Sequence, residues 1–395
     1  MVLLNKAIYI VGAKRTPFCK YGGPLRELPS SQAFAVAARD AILSANLEPE
    51  VIDQTVVGNV NYLSQCDGGK TPRYCGLFSG VPIDRPALGV NKACGTGIQA
   101  IITAVVDIVF GTSKLCLSGG TEIMSSLPLL VRNVRFGTSL GVPYKLEDHI
   151  QKQLFDTSSG CSALTKTAED LATKYGMKRE DIDTFARESY LRWKKAQESN
   201  IFRDEITSLT VTLKKKEIVV DKDITSQMDN LVEAPTLLEE GKLITAGNSS
   251  APADGAAALL LSNEESLKTH NLKPLARISG WACVGVDPVE SGLGGMEAIK
   301  NVLEQNKLGT DDVDLYEIND TYVSEVLITA KELKVNMERI NVNGGTCVLG
   351  HPVAATGARM ATHLVYELRR RNLKRGIAAS SCGGGQGVAI MVERI

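Results

Sequence analysis

The segment Ala41-Ile42-Leu43-Ser44-Ala45-Asn46-Leu47, followed by Val51-Ile52-Asp53, has the pattern of an amphipathic helix, a polar turn and a buried strand. About 260 residues later the chain repeats this order, with Asn301–Leu308 running on to Asp312-Val313-Asp314. One such match can arise by chance, so an internal repeat has to be judged from how many matches occur in the same order.

Further matches do occur in that order and at a similar offset. They pair Ile8–Gly12 with Ala276–Gly280, Thr96-Gly97 with Thr356-Gly357, and Ser118-Gly119-Gly120 with Cys382-Gly383-Gly384. Strands alternate with helices in each copy. We therefore predict two similar α/β halves, each with a parallel sheet and crossover helices.

Composition narrows the class of protein. The 395 residues carry 44 Lys and Arg against 45 Asp and Glu, a balance that argues against a nucleic-acid partner. The apolar run at 100–106 meets Asp107, far short of the roughly 20 residues of a membrane span. With 36 glycines and only 5% aromatic residues, we expect a soluble, tightly packed α/β protein.

The cysteines argue against metal and disulfide frameworks. All nine are scattered without a Cys-x-x-Cys pair, and the chain has only four histidines. The N-terminus leads into an apolar strand without a signal-peptide pattern. We therefore expect reduced thiols, no metal site, and a location in the cytoplasm or the mitochondrial matrix.

A more polar stretch separates the two halves. Helices are predicted there at about 167–175 and at Arg179–Glu198. The run Lys214-Lys215-Lys216 is typical of a solvated strand or loop, a phosphate contact being the alternative. The stretch has the size of a lid or a substrate-holding subdomain.

Cys94 is a candidate nucleophile. It comes just before an apolar helix predicted from Ile98 to Phe110, where unsatisfied N–H groups and the helix dipole lower a thiol pKa. Gly95 and Gly97 would let a ligand approach the sulfur closely. The alternative is a buried, inert thiol.

The second half holds three further candidates. His351 lies in a Gly-His-Pro loop, which suits a general base or an oxyanion donor, although a structural role is the alternative. Asn319 ends the predicted strand Val313–Ile318, where it could orient a water or serve only as a turn residue. The segment Ser380–Gly387 offers a thiol and several backbone N–H groups, which could form an oxyanion hole. The alternative is an ordinary Gly-rich turn.

Taken together, these segments resemble the thiolase family, most closely the degradative 3-ketoacyl-CoA thiolases. The resemblance covers essentially the whole chain and includes Ala13–Phe18, Val131–Thr138, Ala246–Ser250 and Asp254–Ala257. It implies an α/β thiolase fold, with two duplicated βαβ-type halves in an αβαβα arrangement and an inserted loop subdomain. The corresponding divisions are 1–120 and 251–270 for the N-terminal half, 121–250 for the loop subdomain, and 271–395 for the C-terminal half.

The resemblance also implies roles for five residues. Cys94 would carry the acyl group as a thioester, His351 would activate it, and Asn319 would help to stabilise the thioester oxygen through a water. Ser250 would contact the pantetheine arm of coenzyme A. The second cysteine of the family, in a Cys-x-Gly-Gly-Gly motif, exchanges protons with the second substrate, and we assign this role to Cys382.

The C-terminal motif departs from the family pattern. Alignment on Gly383–Gly387 places Ser381 where the family has its acid/base cysteine and Cys382 one residue later. Successive residues of an extended strand face opposite ways, so this slip is not trivial. Either a local bulge in the strand points the Cys382 side chain into the site, which is the interpretation we adopt, or the half of the reaction that involves the second substrate is damaged.

Two other departures concern the pocket. Asn319-Asp320-Thr321-Tyr322 stands where the family usually has Asn-Glu-Ala-Phe, which makes the pocket wall polar. Around Asp223-Ile224-Thr225-Ser226, related enzymes often place an arginine that contacts the adenine end of coenzyme A. These changes bear on rate and specificity rather than on the fold.

The expected function is that of an acyltransferase of fatty-acid metabolism, as in β-oxidation. It would cleave 3-ketoacyl-CoA with coenzyme A to acetyl-CoA and a shortened acyl-CoA, or run the reverse Claisen condensation. The alternative is a thiolase-like protein that binds or slowly hydrolyses acyl-CoA without carbon–carbon chemistry. The resemblance implies coenzyme A as a substrate, no other cofactor, and a homodimer or homotetramer.

Overall fold

Helices and strands alternate along the residues that the computed structural model describes, which are 7–158, 160, 162–226 and 234–395. The helices are α1 (Ser30–Ser44), α2 (Thr71–Phe78), α3 (Thr96–Phe110), α4 (His149–Lys152), α5 (Leu164–Lys174), α6 (Arg179–Glu198), α7 (Glu264–Thr269), α8 (Gly294–Asn306), α9 (Val323–Leu333), α10 (Thr346–Leu349) and α11 (Val353–Arg370). The helices predicted at 98–110 and 179–198 are confirmed, and the one predicted at 167–175 begins earlier.

The strands are mostly short, and they are numbered in chain order. They are β1 (Ile8–Arg15), β2 (Cys19–Lys20), β3 (Gln54–Gly58), β4 (Ala87–Val90), β5 (Leu115–Ile123), β6 (Leu129–Val131), β7 (Leu146–Asp148), β8 (Phe155–Asp156), β9 (Ser162–Ala163), β10 (Leu209–Leu213), β11 (Lys216–Val220), β12 (Ala253–Asn263), β13 (Ala276–Gly285), β14 (Leu315–Ile318), β15 (Arg375–Cys382) and β16 (Gln386–Arg394).

One mixed sheet passes through the molecule in the order β14-β15-β16-β13-β1-β12-β5-β3-β4, with β2 paired to β12. The antiparallel pairing of Ile8–Ile10 in β1 with Ala276–Ile278 in β13 joins the two halves. On either side of this junction the strands repeat one pattern, β1-β12-β5-β3 mirrored by β13-β16-β15-β14. The internal duplication predicted from the sequence is therefore confirmed.

The prediction of parallel sheets is wrong for the middle of each half. Strands β12 and β16 run antiparallel to both of their neighbours, whereas β3 is parallel to β4 and β5, and β14 is parallel to β15. In the C-terminal half the reason is visible at Gly383–Gly385, where β15 turns directly back into β16. A short hairpin can join only antiparallel strands, since a parallel pair needs a longer crossover.

Three layers of helices enclose the two halves of the sheet. Helix α1 packs on β1, β5 and β12 at one outer face, and α8 packs on β13, β15 and β16 at the other. Between them, α3 and α11 contact each other and both halves of the sheet. Aliphatic side chains fill these interfaces, and the αβαβα arrangement is confirmed. The segment Ala93–Phe110 has the length and apolarity of a membrane span, but here it contains α3 of the central layer.

The first turns of α3 and α11 touch backbone to backbone. A Cβ atom on Gly97 would lie 2.5 Å from the backbone nitrogen of Ala358, and one on Gly357 would lie 2.7 Å from a backbone nitrogen of α3. Close packing of this kind leaves room only for glycine. Since Cys94 precedes α3 and His351 precedes α11, this contact brings the two predicted site residues to one place.

The chain between β5 and β12 forms the inserted segment, with α4 to α6 and three two-stranded sheets among its described residues. Strands β10 and β11 form a hairpin. Its turn holds Lys214 and Lys215 at positive φ, and Lys216 begins β11; all three are exposed. The lysine run therefore lies on a solvated turn and strand, as its composition predicts.

A buried ion cluster attaches this segment to both halves. Arg15, at the end of β1, donates to both carboxylate oxygens of Asp223 at 2.6 and 2.9 Å and to Glu205 at 2.7 Å. Glu205 also accepts a 2.8 Å hydrogen bond from His363 of α11. Bidentate pairs of this kind fix orientation as well as distance. Asp223 thus serves the core, in the segment where related enzymes often place an arginine.

Gly97→Ala is expected to destabilise the protein, although alanine is the better helix former. The added Cβ would meet the nitrogen of Ala358 at 2.5 Å and the oxygen of Ala354 at 2.7 Å, an overpacking cost of about 1–3 kcal/mol. Chemical unfolding followed by circular dichroism should show a lower midpoint. Gly285→Ala is the control, because no atom lies within 4 Å of its added Cβ. Equal midpoints for the two variants would contradict the close contact.

Candidate active site

Cys94 lies in a tight turn immediately before α3. Ala93 adopts a φ of 44°, in the left-handed region that only a well-supported backbone sustains. The hydroxyl of Thr96 supplies that support, since it accepts a hydrogen bond from the Lys92 N–H at 2.8 Å and donates to the Ala93 carbonyl at 2.6 Å. The turn leaves the Cys94 side chain partly exposed in the wall of a cavity.

His351 lies between α10 and α11 and is almost completely buried. Its Nδ1 is 2.7 Å from the hydroxyl of Thr356, which itself donates to the carbonyl of Pro352 at 3.1 Å. Because the single hydroxyl proton is used there, we assign the imidazole proton to Nδ1. Nε2 then carries the lone pair, and it has no hydrogen-bond partner among the described residues.

A short extended segment connects the regions of Asn319 and His351. The Ser250 N–H donates to the carbonyl of Thr321 at 2.8 Å, and the His351 N–H donates to the carbonyl of Ala251 at 2.8 Å. These backbone bonds fix the loop after β14 and the loop before α11 against the same strip of chain. Ser250 therefore lies between the two candidate regions, and it lines the cavity with them.

Asn319 keeps its predicted position at the end of β14, but its side chain is only 2% exposed. The amide Nδ2 donates to the hydroxyls of Thr321 at 3.2 Å and Ser380 at 3.1 Å. Oδ1 has no partner among the described residues. It is Thr321, rather than Asn319, that lines the cavity. A role for Asn319 through a water stays a prediction.

Ser381 and Cys382 point to opposite faces of β15. The Ser381 hydroxyl donates to the carbonyl of Gly292 at 2.7 Å and accepts from the Gly295 N–H at 2.9 Å, on the side of α8. The Cys382 thiol contacts the N–H of Gly95, on the side of α3. Cys382 therefore faces the turn that carries Cys94.

The bulge expected at this position is absent. Strands β15 and β16 pair without a register shift through to Cys382 and Gln386, and Gly383–Gly385 closes the hairpin. Ordinary strand alternation is enough to turn Cys382 towards Cys94.

Cys94, His351, Thr321 and Ser250 line one cavity of about 730 Å³ together with Gly383. Apolar side chains of the inserted segment close its other side, among them Ile150, Leu154, Leu164 and Leu237. Asn319 and Cys382 lie directly behind its wall. The cavity can hold an acyl chain against apolar side chains while its reactive groups converge at one end.

The electrostatics of Cys94 differ from the prediction. Burial, with a smaller contribution from the charge of Glu325, raises the pKa of this thiol to about 11, although hydrogen bonds from the N–H of Gly383, its own N–H and the side chain of Thr321 oppose the rise. The helix dipole does not outweigh burial here. Cys94 therefore needs a base to become a nucleophile.

His351 has the charge state that such a base requires. Burial, helped by the positive charge of Arg359, lowers the pKa of His351 to about 3. The imidazole is therefore neutral throughout the physiological range, with the Nε2 lone pair available for a proton. The neutral imidazole can accept a thiol proton, although its low pKa makes that transfer uphill, and backbone N–H groups can stabilise the sulfur.

Comparison with known proteins identifies the family. Residues 8–265 match the model of the thiolase N-terminal domain, and residues 272–394 match that of the thiolase C-terminal domain. The chain belongs to the thiolase family. It is 40% identical over 394 residues to a protein of Bos taurus named 3-ketoacyl-CoA thiolase, mitochondrial, and the match covers 99% of each chain.

Further thiolases resemble it over their full length. The acetyl-CoA acetyltransferase of Syntrophomonas wolfei is 34% identical over 399 residues, covering 99% of this chain and 100% of its own. The crystal structure of human mitochondrial 3-ketoacyl-CoA thiolase in complex with CoA matches with a TM-score of 0.95 at 38% identity, covering 100% of this chain and 99% of that one.

Sequence reasoning missed two side chains of this thiolase site. Thr356 fixes the tautomer of His351, and its position in the first turn after a Gly-His-Pro loop could have indicated this. Glu325, in the first turn of α9, is only 9% exposed and acts electrostatically on Cys94. No sequence pattern marks it, because a glutamate near a helix N-terminus is ordinarily a solvated residue.

Glu325 is a protonated carboxylic acid at neutral pH. Burial and the nearby charge of Asp320 raise its pKa to about 8. A neutral Glu325 does not oppose formation of the Cys94 thiolate, whereas its ionised form does. The protonation of Glu325 thus couples the stability of the fold and the reactivity of the site to pH.

Glu325→Gln is expected to make stability less sensitive to rising pH. The carboxyl titrates near pH 8 in the folded state, whereas its ordinary pKa is 4.5. Between these two pH values the folded protein therefore binds one proton more than the unfolded protein. Wild type therefore loses stability relative to the variant as the pH rises from 4.5 to 8, by at most roughly 1.4 kcal/mol per pH unit, and the loss stops growing above pH 8.

Thermal melting of both proteins between pH 5 and pH 9 measures this difference. The matched control is Glu332→Gln, an exposed glutamate on the same helix. A difference in Tm between Glu325→Gln and wild type that stays constant over the pH range would contradict a buried, protonated carboxyl.

Proposed function

We propose that this thiolase cleaves 3-ketoacyl-CoA with coenzyme A, giving acetyl-CoA and a shortened acyl-CoA, and also runs the reverse Claisen condensation. The observation that carries the proposal is the meeting of Cys94, a neutral His351 and the N–H of Gly383 at one apolar cavity. The names of the relatives, 3-ketoacyl-CoA thiolase and acetyl-CoA acetyltransferase, support both directions.

In the first half-reaction, Nε2 of His351 takes the proton of Cys94, and the thiolate attacks the C3 carbonyl carbon of the substrate. Hydrogen bonds from the N–H groups of Gly383 and Cys94 stabilise the charge on sulfur. Asn319, through a water, helps to stabilise the substrate oxygen. The C2–C3 bond breaks, the acyl group stays on Sγ, and the electron pair remains on C2 of the departing acetyl-CoA.

Cys382 supplies the proton that C2 then needs. Burial keeps the pKa of this thiol far above its usual range, so it is protonated in the resting enzyme. In the second half-reaction the Cys382 thiolate takes the thiol proton of coenzyme A, which attacks the thioester. Cys94 leaves as a thiolate and recovers its proton from His351, so every proton is returned.

Coenzyme A is the expected ligand of this cavity. The human relative was crystallised in complex with CoA. We assign Ser250 to the pantetheine arm, since its backbone is fixed by Thr321 and its residue lines the cavity. The apolar wall from the inserted segment supports a role for residues 121–250 as a substrate-holding subdomain between the two halves, 1–120 with 251–270 and 271–395.

The assembly and the location are also proposals. Strand β4 lies at the end of the main sheet, with partly exposed side chains, and no strand among the described residues pairs with its outer edge. An edge of this kind favours pairing with a second copy in a homodimer or homotetramer. The mitochondrial name of the bovine relative supports the mitochondrial matrix, and the cytoplasm remains the alternative.

The alternative function, an acyl-CoA-binding protein without carbon–carbon chemistry, rests on the displaced C-terminal cysteine and on the altered segment Asn319-Asp320-Thr321. The orientation of Cys382 towards Gly95 weighs against the first of these reasons, because the thiol lies beside the turn of Cys94. Ser381, the other residue considered for this role, is committed to the backbone near α8.

Cys94→Ala is expected to abolish thiolysis of acetoacetyl-CoA, with a fall in kcat of at least about 10³-fold, because no thioester can form. The loss of acetoacetyl-CoA absorbance measures turnover, and mass spectrometry of the intact protein detects the acyl adduct. Cys283→Ala, which replaces an exposed thiol, is the control. Thiolysis at the wild-type rate by Cys94→Ala would overturn the proposed function.

The two residues of the C-terminal motif should behave differently. Cys382→Ala removes the proton donor and should lower kcat by roughly 10²–10⁴-fold while acylation of Cys94 remains detectable. Ser381→Ala loses hydrogen bonds to Gly292 and Gly295 and should cost about 1 kcal/mol of stability with turnover largely retained. The reverse ranking in a thiolysis assay would return the acid/base role to Ser381.

A further inference from the structure

Thr321 differs from the alanine that the thiolase motif usually has at this position, and its hydroxyl lies between two groups of the site. On one side it is 3.2 Å from Nδ2 of Asn319, and on the other its hydrogen-bonding interaction with the Cys94 side chain opposes the rise in the pKa of that thiol. Both Thr321 and Cys94 line the cavity. The mechanism above does not use this hydroxyl.

The direction of these hydrogen bonds follows from Ser380. Its hydroxyl donates to the carbonyl of Ser381 at 2.9 Å, so it must accept from the amide of Asn319 at 3.1 Å. The amide atom that faces Ser380 and Thr321 is therefore Nδ2, and its two protons go to these two hydroxyls. Thr321 accepts one of them, which leaves its own proton for Sγ of Cys94.

The backbone of Thr321 is fixed independently of its side chain. Its carbonyl accepts the N–H of Ser250 at 2.8 Å, and Ser249 forms a bridge with Tyr322. The hydroxyl is thus held at the sulfur by the fold, with no loop that has to close. A donor fixed in this way costs little reorganisation when charge develops on the acceptor.

Cys94 has need of such a donor. Burial disfavours its thiolate, and proton transfer to the neutral His351 is uphill. The other titratable groups that act on this sulfur are Glu325, neutral or negative, the Cys382 thiol and the Tyr322 phenol, so none of them contributes positive charge. Uncharged donors must therefore stabilise the thiolate.

We propose that Thr321 is a further catalytic residue, whose hydroxyl donates a hydrogen bond to Sγ of Cys94 and stabilises the thiolate, and that Asn319, besides its proposed role through a water, positions this hydroxyl through Nδ2. The inference rests on the proposed role of Cys94 as nucleophile. In this enzyme the hydroxyl adds a third donor to the backbone N–H groups of Gly383 and Cys94.

The test is the pH dependence of Cys94 alkylation by iodoacetamide, followed by mass spectrometry of the peptide that contains Cys94. Thr321→Val keeps the shape of the side chain and removes the hydroxyl. It should displace the rate profile upwards by about 1 pH unit, which is roughly a tenfold slower alkylation at any pH below the midpoint. Thr321→Ser should restore the wild-type profile.

Two further variants test whether a displacement of the alkylation profile comes from the hydroxyl itself. Thr321→Ala, the residue that the motif usually has, should displace the profile as Thr321→Val does, and it keeps the test available if the valine does not fold. Thr165→Val is the matched control. Thr165 lines the same cavity, but its hydroxyl pairs with that of Tyr322 at 2.9 Å, so the Cys94 profile should not move.

The outcomes separate this inference from the proposed function. Alkylation profiles of folded Thr321→Val and Thr321→Ala that coincide with wild type would overturn the inference and leave the proposed function standing. An equal displacement in Thr165→Val would also overturn it, because the effect would then be one of general packing. Thiolysis that survives Cys94→Ala would defeat the proposed function itself, whatever the alkylation profiles are.

Discussion

The backbone contact between the first turns of α3 and α11 is the constraint on which this site depends. Gly97 and Gly357 leave no room for a side chain there, so the two central helices meet at their N-terminal ends. Each of these helices belongs to a different copy of the repeated unit. The contact therefore brings Cys94, from the first copy, to the same cavity as His351, from the second.

Burial at this meeting point shapes the chemistry. It raises the pKa of Cys94 and Glu325 and lowers that of His351, so the resting site holds a thiol, a carboxylic acid and a neutral imidazole. None of these three groups carries a charge until a proton moves. Catalysis then requires a base next to the thiol, with its tautomer fixed by Thr356, and fixed hydrogen-bond donors for the thiolate.

The C-terminal hairpin shows where sequence reasoning needed the structure. Alignment on the glycines assigned the acid/base position to Ser381, and we expected a bulge to restore Cys382. The strand is regular instead, with Cys382 paired to Gln386 before the turn Gly383–Gly385, and ordinary alternation turns Cys382 towards Cys94. Alignment counts residues, whereas the face of a strand depends on the pairing register and on where the turn begins.

The sequence by itself determined the duplicated α/β architecture, the main helices and the identity of Cys94 and His351 as candidates, because periodicity and motif spacing are local properties. Tertiary structure decided the rest. It set the antiparallel middle strands, the burial that reverses the expected pKa of Cys94, and the place of Thr321 between Asn319 and the sulfur. These features arise from contacts between residues far apart in the chain, which no local pattern records.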